Sequence, residues 1–420
     1  MSPGWYRVTS KNGALARETE SMTSAKVREF APGTVLHVDA TVAIDGGAKT
    51  RARVTQPVAC WITFKGLRPA ASPRAAAPEP PARELQAARH RRWKAMIAAG
   101  EAYCHNDADA PWPPNLACVL GHMNSVYCCC FAADGSRVVT GSWDRRVRVW
   151  DADSGERLRV FDEHADAVLS ASPGPGTFVV TASWANEALV WDVATGDVLV
   201  ALRSHGAAVN GAAWSRDGRR VVTASEDRAA KVWDAATGEE LATLRGHDAR
   251  KHRGDLWGCD VSSDGARAAT ASSDETAKLF DAATGACLRT FSGHGDRVTA
   301  CAFSPDGSRL ATSSWDGVGK IWDAATGACL HTLAGHAPPA DANQATHGRL
   351  ESVAFAPDGS RVATTSWDRT ARVWDAATGA HLETLAGHAE TVYCCAFAPD
   401  GARLVTGAED RTARVWVLAD

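Results

Sequence analysis

One segment recurs seven times along the C-terminal part of the chain, and its period constrains the fold more than any other feature. Its clearest copy runs from Gly121-His122 through Ser142-Trp143-Asp144 to Trp150-Asp151. The last copy runs from Gly387-His388 through Glu409-Asp410 to Trp416. The residues after the closing aromatics are Asp151, Asp192, Asp234, Asp281, Asp323, Asp375 and Val417, giving spacings of 41, 42, 47, 42, 52 and 42. Length alone would suggest about two or three domains, but a repeat array breaks that rule.

Each copy reads as four short strands. Val126 to Phe131, Arg137 to Ser142 and Arg146 to Trp150 are β-rich runs, and the turn Ala133-Asp134-Gly135 returns as Pro305-Asp306-Gly307, Pro357-Asp358-Gly359 and Pro399-Asp400-Gly401. A period of about 42 with Gly-His early and Trp-Asp late is the signature of a four-stranded propeller blade. On these motifs the stretch 113–420 resembles the WD-repeat family. The resemblance implies an all-β, seven-bladed β-propeller. Asn115 to Leu120 has the form of an outer strand but precedes the first full blade, while the last repeat stops after its third strand. Residues 115–120 are therefore expected to complete the seventh blade and remove an open edge.

The resemblance also implies a hydrogen-bonded chain of Trp, Ser, His and Asp inside a blade. The matching sets are Trp150, Ser142, His122 and Asp144; Trp233, Ser225, His205 and Asp227; Trp322, Ser314, His294 and Asp316; and Trp374, Ser366, His336 and Asp368. Four such sets at one period point to structure rather than to a hydrolase triad. The second repeat departs from the pattern, with Ala185 at the Asp position, and is expected to be the least regular.

Family members carry, on one face, three exposed positions per blade. By motif these include Trp143, Trp184, Trp315 and Trp367 before the turn Asp, and Tyr127, Trp257, Glu351 and Tyr393 after the first inner-strand residue. Arg297 and Arg349 stand ahead of that residue in their repeats. Aromatic rings and Arg are the residue types enriched at binding hot spots. The resemblance thus implies a non-enzymatic scaffold binding a protein or peptide on that face. The competing view is that the indoles pack between neighbouring blades. A cage for a methylated basic side chain, built from these rings with Glu226, Glu351 and Glu409, is the alternative function.

Residues 1–69 read as five short strands punctuated by Gly and Pro, and their order resembles a bacterial-type Src-homology-3-like barrel. Residues 70–112 read as a Pro/Ala-rich linker followed by a helix over 82–103. A net charge of −4 gives no global case for nucleic acid. Arg148, Lys231, Lys278, Lys320, Arg372 and Arg414, two before six of the closing aromatics, are usual for the family. Neither a bilayer-spanning apolar run nor a secretory signal is seen. Consecutive cysteines (128–130, and 394 with 395) suggest small core residues, and no spacing suggests zinc. The expectations are no cofactor, no metal, a reducing intracellular compartment (cytoplasm or nucleus), and a monomer within larger assemblies.

Overall fold

The computed structural model describes residues 115–337 and 348–419, Pro113, Arg91, Lys94 and the backbones of seven strands within 4–69. The chain divides into two units, Met1–Pro81 and Ala82–Asp420. In the first, antiparallel strands lie in the order Val27–Glu29, Leu15–Arg17, Cys60–Thr63, Arg51–Val54, Val35–Val38, Gly4–Val8 and Leu67–Pro69. Closure into a Src-homology-3-like barrel, and the helix expected over 82–103, rest on residues outside the described set.

The second unit holds seven four-stranded antiparallel sheets. The first is Val126–Phe131, Arg137–Ser142, Val147–Asp151 and Arg157–Phe161, from the inside outward. Its second strand is buried from Val138 to Ser142, and the same pattern recurs in all seven blades. A strand covered on both faces needs small and β-branched residues, which Val138, Val139, Thr140 and Gly141 supply. In the first six blades the outer strand lies largely outside the core and is held by one large buried anchor, such as Leu333 in Cys329–Ala334.

The seventh sheet is completed from the other end of the array. Strand Leu116–Gly121 pairs with Thr412–Val417, from Thr412 opposite Gly121 to Trp416 opposite Leu116. Blade two keeps all four strands, with Phe178–Ser183 in continuous register against Glu187–Asp192. Its departure from the pattern lies in side chains, not in the sheet. The described cysteines are free, and Cys128, Cys129 and Cys130 are buried in the inner strand of blade one.

Two turns set the ends of the second strand. At its start, Gly135 adopts φ +70°, which L side chains resist, and Asp134 accepts the Ser136 N–H at 3.0 Å. At its end, Arg145 adopts φ +66°, and Asp144 steadies that turn by accepting the Arg146 N–H at 3.0 Å.

Candidate functional site

A buried polar chain fixes each blade before any surface can form on it. In blade one the Trp150 indole N–H donates to Thr140 Oγ1 at 2.8 Å. His122 Nε2 lies 2.7 Å from the same oxygen, and His122 Nδ1 lies 3.2 Å from Asp144 Oδ2. An indole can only donate and a carboxylate can only accept, so with a neutral ring the protonated nitrogen is Nδ1 and the Thr140 hydroxyl donates to Nε2. Burial lowers the His122 pKa to about 4, against the pull of Asp144, which fits a neutral ring. Burial opposes ionisation of Asp144 too, yet the His122 hydrogen bond and the nearby Arg148 leave its carboxyl well below the usual range.

The serines do not sit in this chain as expected. Ser142 Oγ donates to the Asn124 carbonyl at 3.1 Å and accepts the Asp144 N–H at 3.0 Å. Ser225 and Ser314 donate likewise to the Ala207 and Asp296 carbonyls, and Ser366 accepts the Asp368 N–H. The reason is register. Trp150 pairs across from Val138, so its indole lies beside Thr140, two residues short of Ser142. The same Thr joins His and Trp at Thr223 with His205 and Trp233, Thr312 with His294 and Trp322, and Thr364 with His336 and Trp374. The sequence carried this signal, because Thr140, Thr181, Thr223, Thr270, Thr312, Thr364 and Thr406 occupy the position in all seven repeats. Two of the basic residues before the aromatics, Arg148 and Lys231, are also buried. Arg148 pairs with Asp144 at 3.0 Å and Lys231 with Glu240 at 2.6 Å.

Blade two lacks the carboxylate. Trp191 and His164 meet at Thr181 as elsewhere, but Ala185 offers no acceptor and His164 Nδ1 has no hydrogen-bond partner. Glu187 Oε1 approaches to 3.8 Å, and the other oxygen, Oε2, is held by Arg203 at 2.6 Å.

One face carries the aromatic residues. The residue before each turn Asp donates its backbone N–H to the residue ahead of the inner strand. Trp143 donates to Ser125, Trp184 to Ala167, Trp315 to Arg297 and Trp367 to Arg349, at 2.9 to 3.0 Å. The lining of a central cavity of about 470 Å³ includes the second inner-strand residue of each blade: Tyr127, Leu169, Asn210, Trp257, Thr299, Glu351 and Tyr393. Asn210 and Thr299 are engaged by the Leu256 and Leu350 carbonyls of the next blade.

The rings form two ladders. In the first, Tyr127 stacks on Tyr393 with centroids 4.3 Å apart, Trp143 lies 5.3 Å from Tyr127, and Trp184 meets Trp143 edge-on at 4.5 Å. In the second, Trp257, Trp315 and Trp367 follow at 6.3 and 5.8 Å. Trp184 is 41% exposed and the other rings are half-buried. They therefore pack on one another while keeping part of each ring in solvent. Arg297 lies 4.8 Å from the Trp315 ring centre, and Arg349 lies 4.6 and 5.2 Å from those of Trp315 and Trp367. Glu351 accepts both indole N–H groups, from Trp315 at 3.2 Å and from Trp367. Burial raises its carboxyl to about 7, with these bonds and Arg349 pulling the other way. Among the described residues no group of three metal-ligating side chains occurs, and no helix is long and apolar enough to cross a membrane.

A family model described as WD domain, G-beta repeat matches residues 114–151, 196–234, 238–281, 285–323, 327–375 and 379–417, more than half of the chain. The unmatched gap holds most of blade two, including Ala185. One of the subunits of chromatin assembly factor 1 from Mus musculus is 34% identical over 55 residues, 13% of this chain and 10% of that protein. Dynein assembly factor with WD repeat domains 1 is 52% identical over 44 residues in Xenopus laevis and 49% over 47 in Danio rerio. Those stretches are 10% and 11% of this chain and 11% of each relative. The chain thus aligns with only about a tenth of each relative's length.

Proposed function

The chain belongs to the WD-repeat family, and from that premise we propose that it is a non-enzymatic scaffold or adaptor binding a protein segment on the face that carries the two ladders. Propellers of this family serve as platforms for protein interaction. The observation that carries the reading is the pair of half-buried aromatic ladders, Tyr393, Tyr127, Trp143 and Trp184 on one side and Trp257, Trp315 and Trp367 on the other. Rings held rigid by their neighbours lose little entropy on binding and bury much apolar surface. Arg297 adds a polar anchor, and Glu351 holds the Trp315 and Trp367 indoles in place. Two relatives are named as assembly factors, which agrees with an adaptor working as a monomer inside a larger intracellular assembly.

The test is a Trp143→Ala, Trp367→Ala double variant of the full chain. Its melting should stay cooperative, because neither indole joins the Thr, His and Asp that fix each blade, and Glu351 keeps the Trp315 donor when Trp367 is removed. Quantitative pull-down from the native cell should lose the captured proteins. An unchanged set of partners on a folded variant would reject this surface.

The reader of a methylated basic side chain has less support. Tyr127, Tyr393, Trp257 and Glu351 all border the cavity, but the two tyrosine faces cover each other and Glu351 is engaged by two indoles. At Trp315 and Trp367 the cation's place is taken by Arg349.

A further inference from the structure

We propose that Arg297 and Arg349, stacked on Trp315 and Trp367, are the carboxylate anchor of the binding face, and that the segment bound there is an acidic peptide. The inference rests on the scaffold reading and specifies its partner's chemistry. Both guanidiniums stand at the same position in adjacent blades, ahead of Val298 and Leu350. Each backbone carbonyl holds the Trp of its own blade, so cation and ring are fixed together. Arg349 is shared between the rings of Trp315 and Trp367, whereas Arg297 contacts Trp315 alone. A guanidinium that uses its flat face on a ring keeps its N–H edge for a bidentate carboxylate.

Local charge points the same way. Among the described residues neither side chain forms an ion pair within 4.0 Å. Glu351, whose carboxyl feels Arg349, is already claimed by two indole donors. Asp255 feels Arg253, Arg297 and Arg228 together. The corresponding positions of blades one, two, three and seven are Ser125, Ala167, Ala208 and Thr391, which carry no charge. At this position the cations are therefore confined to blades five and six, with Asp255 standing at it in blade four, beside the cavity that Trp257 and Glu351 border. A peptide laid along this ladder meets apolar rings with two cations between them, and an Asp or Glu side chain is the group that complements them.

The experiment is selection of phage-displayed random peptides on the immobilised full chain, followed by affinity measurement on the synthetic winners. Wild type should enrich Asp and Glu. Arg297→Glu with Arg349→Glu should weaken the winners by about tenfold to a hundredfold and shift fresh selections towards Lys and Arg. Arg297→Lys with Arg349→Lys keeps the charge but not the stacked fork, and should give an intermediate loss while guarding against a folding artefact. Leu382→Ala, on the exposed outer strand His381–Ala386 away from both ladders, should keep the affinity and the acidic preference. Winners without acidic residues, winners indifferent to charge reversal, or no winners would each overturn the inference. So would binding of a single-stranded RNA 20-mer, tested in parallel, in place of acidic peptides. The pull-down with the Trp143→Ala, Trp367→Ala variant decides the scaffold reading separately.

Discussion

At the scale of single residues, Glu351 couples the binding face to pH. Burial holds its carboxyl at about 7, against an ordinary value of 4.5. Between those values the folded chain binds the proton and the unfolded chain does not. Stability therefore falls as pH rises through that window and levels off above it. Glu351→Gln removes the charge and keeps an amide oxygen for an indole donor. The expected outcome is that the variant melts above wild type at about pH 8 and that the gap closes towards about pH 5. His122 and Asp144 titrate in the opposite sense, but they are common to both proteins and cancel in the difference. Thermal melts at the two pH values check it, and a gap independent of pH would count against the assignment. The sequence placed Glu351 on the face by its offset from the first inner-strand residue. Its two indole bonds were not legible, because Trp315 lies 36 residues away and Trp367 16, a distance only the ring of blades closes.

At the scale of the blade, the repeat period made strands and turns legible, whereas the hydrogen-bond partners within a blade needed the register. The spacing put Ser142 beside the motif Asp; the recurring Thr marked Thr140 as a candidate, and the pairing of Val138 with Trp150 shows that it receives the indole. Blade two isolates the value of the missing carboxylate. In the other blades the Asp also accepts the backbone N–H after the His, at 3.1 Å in blade one and 3.0 Å in blade three. Ala185→Asp should restore both bonds, one of them to His164 Nδ1. Bonds to a charged acceptor contribute about 1.5–3 kcal/mol, and the adjacent Glu187 opposes part of that gain. A net stabilisation of about 1–2 kcal/mol is expected by urea unfolding, with Ala185→Asn gaining less. A destabilised Ala185→Asp chain would show that Glu187 and Arg203 already fill the role.

At the scale of the whole molecule, one strand decides whether the ring is closed. Leu116–Gly121 supplies the outer strand of blade seven, with Leu116 and Leu120 fully buried and its backbone paired to Thr412–Val417. Its pattern was readable because it copies the outer strand that precedes every Gly-His, but nothing local in residues 115–120 names their partner some three hundred residues on. A chain beginning at residue 113 keeps the strand, and one beginning at 122 loses it. Each fully buried Leu contributes about 1.5–3 kcal/mol, and Cys118 and Val119 add to that, so the shorter chain should lose about 5 kcal/mol or more. It also exposes the Thr412–Val417 edge, a template for pairing with other chains. The expected outcome is a lower melting point with concentration-dependent aggregation for the chain from 122, and neither for the chain from 113. A synthetic peptide of residues 113–121 added to the shorter chain should restore both, because the ladder needs the strand and not its covalent link. If the two chains melt alike without the peptide, the ring is held by its inner strands alone, and closure from the N-terminal side is not what keeps the binding face in one piece.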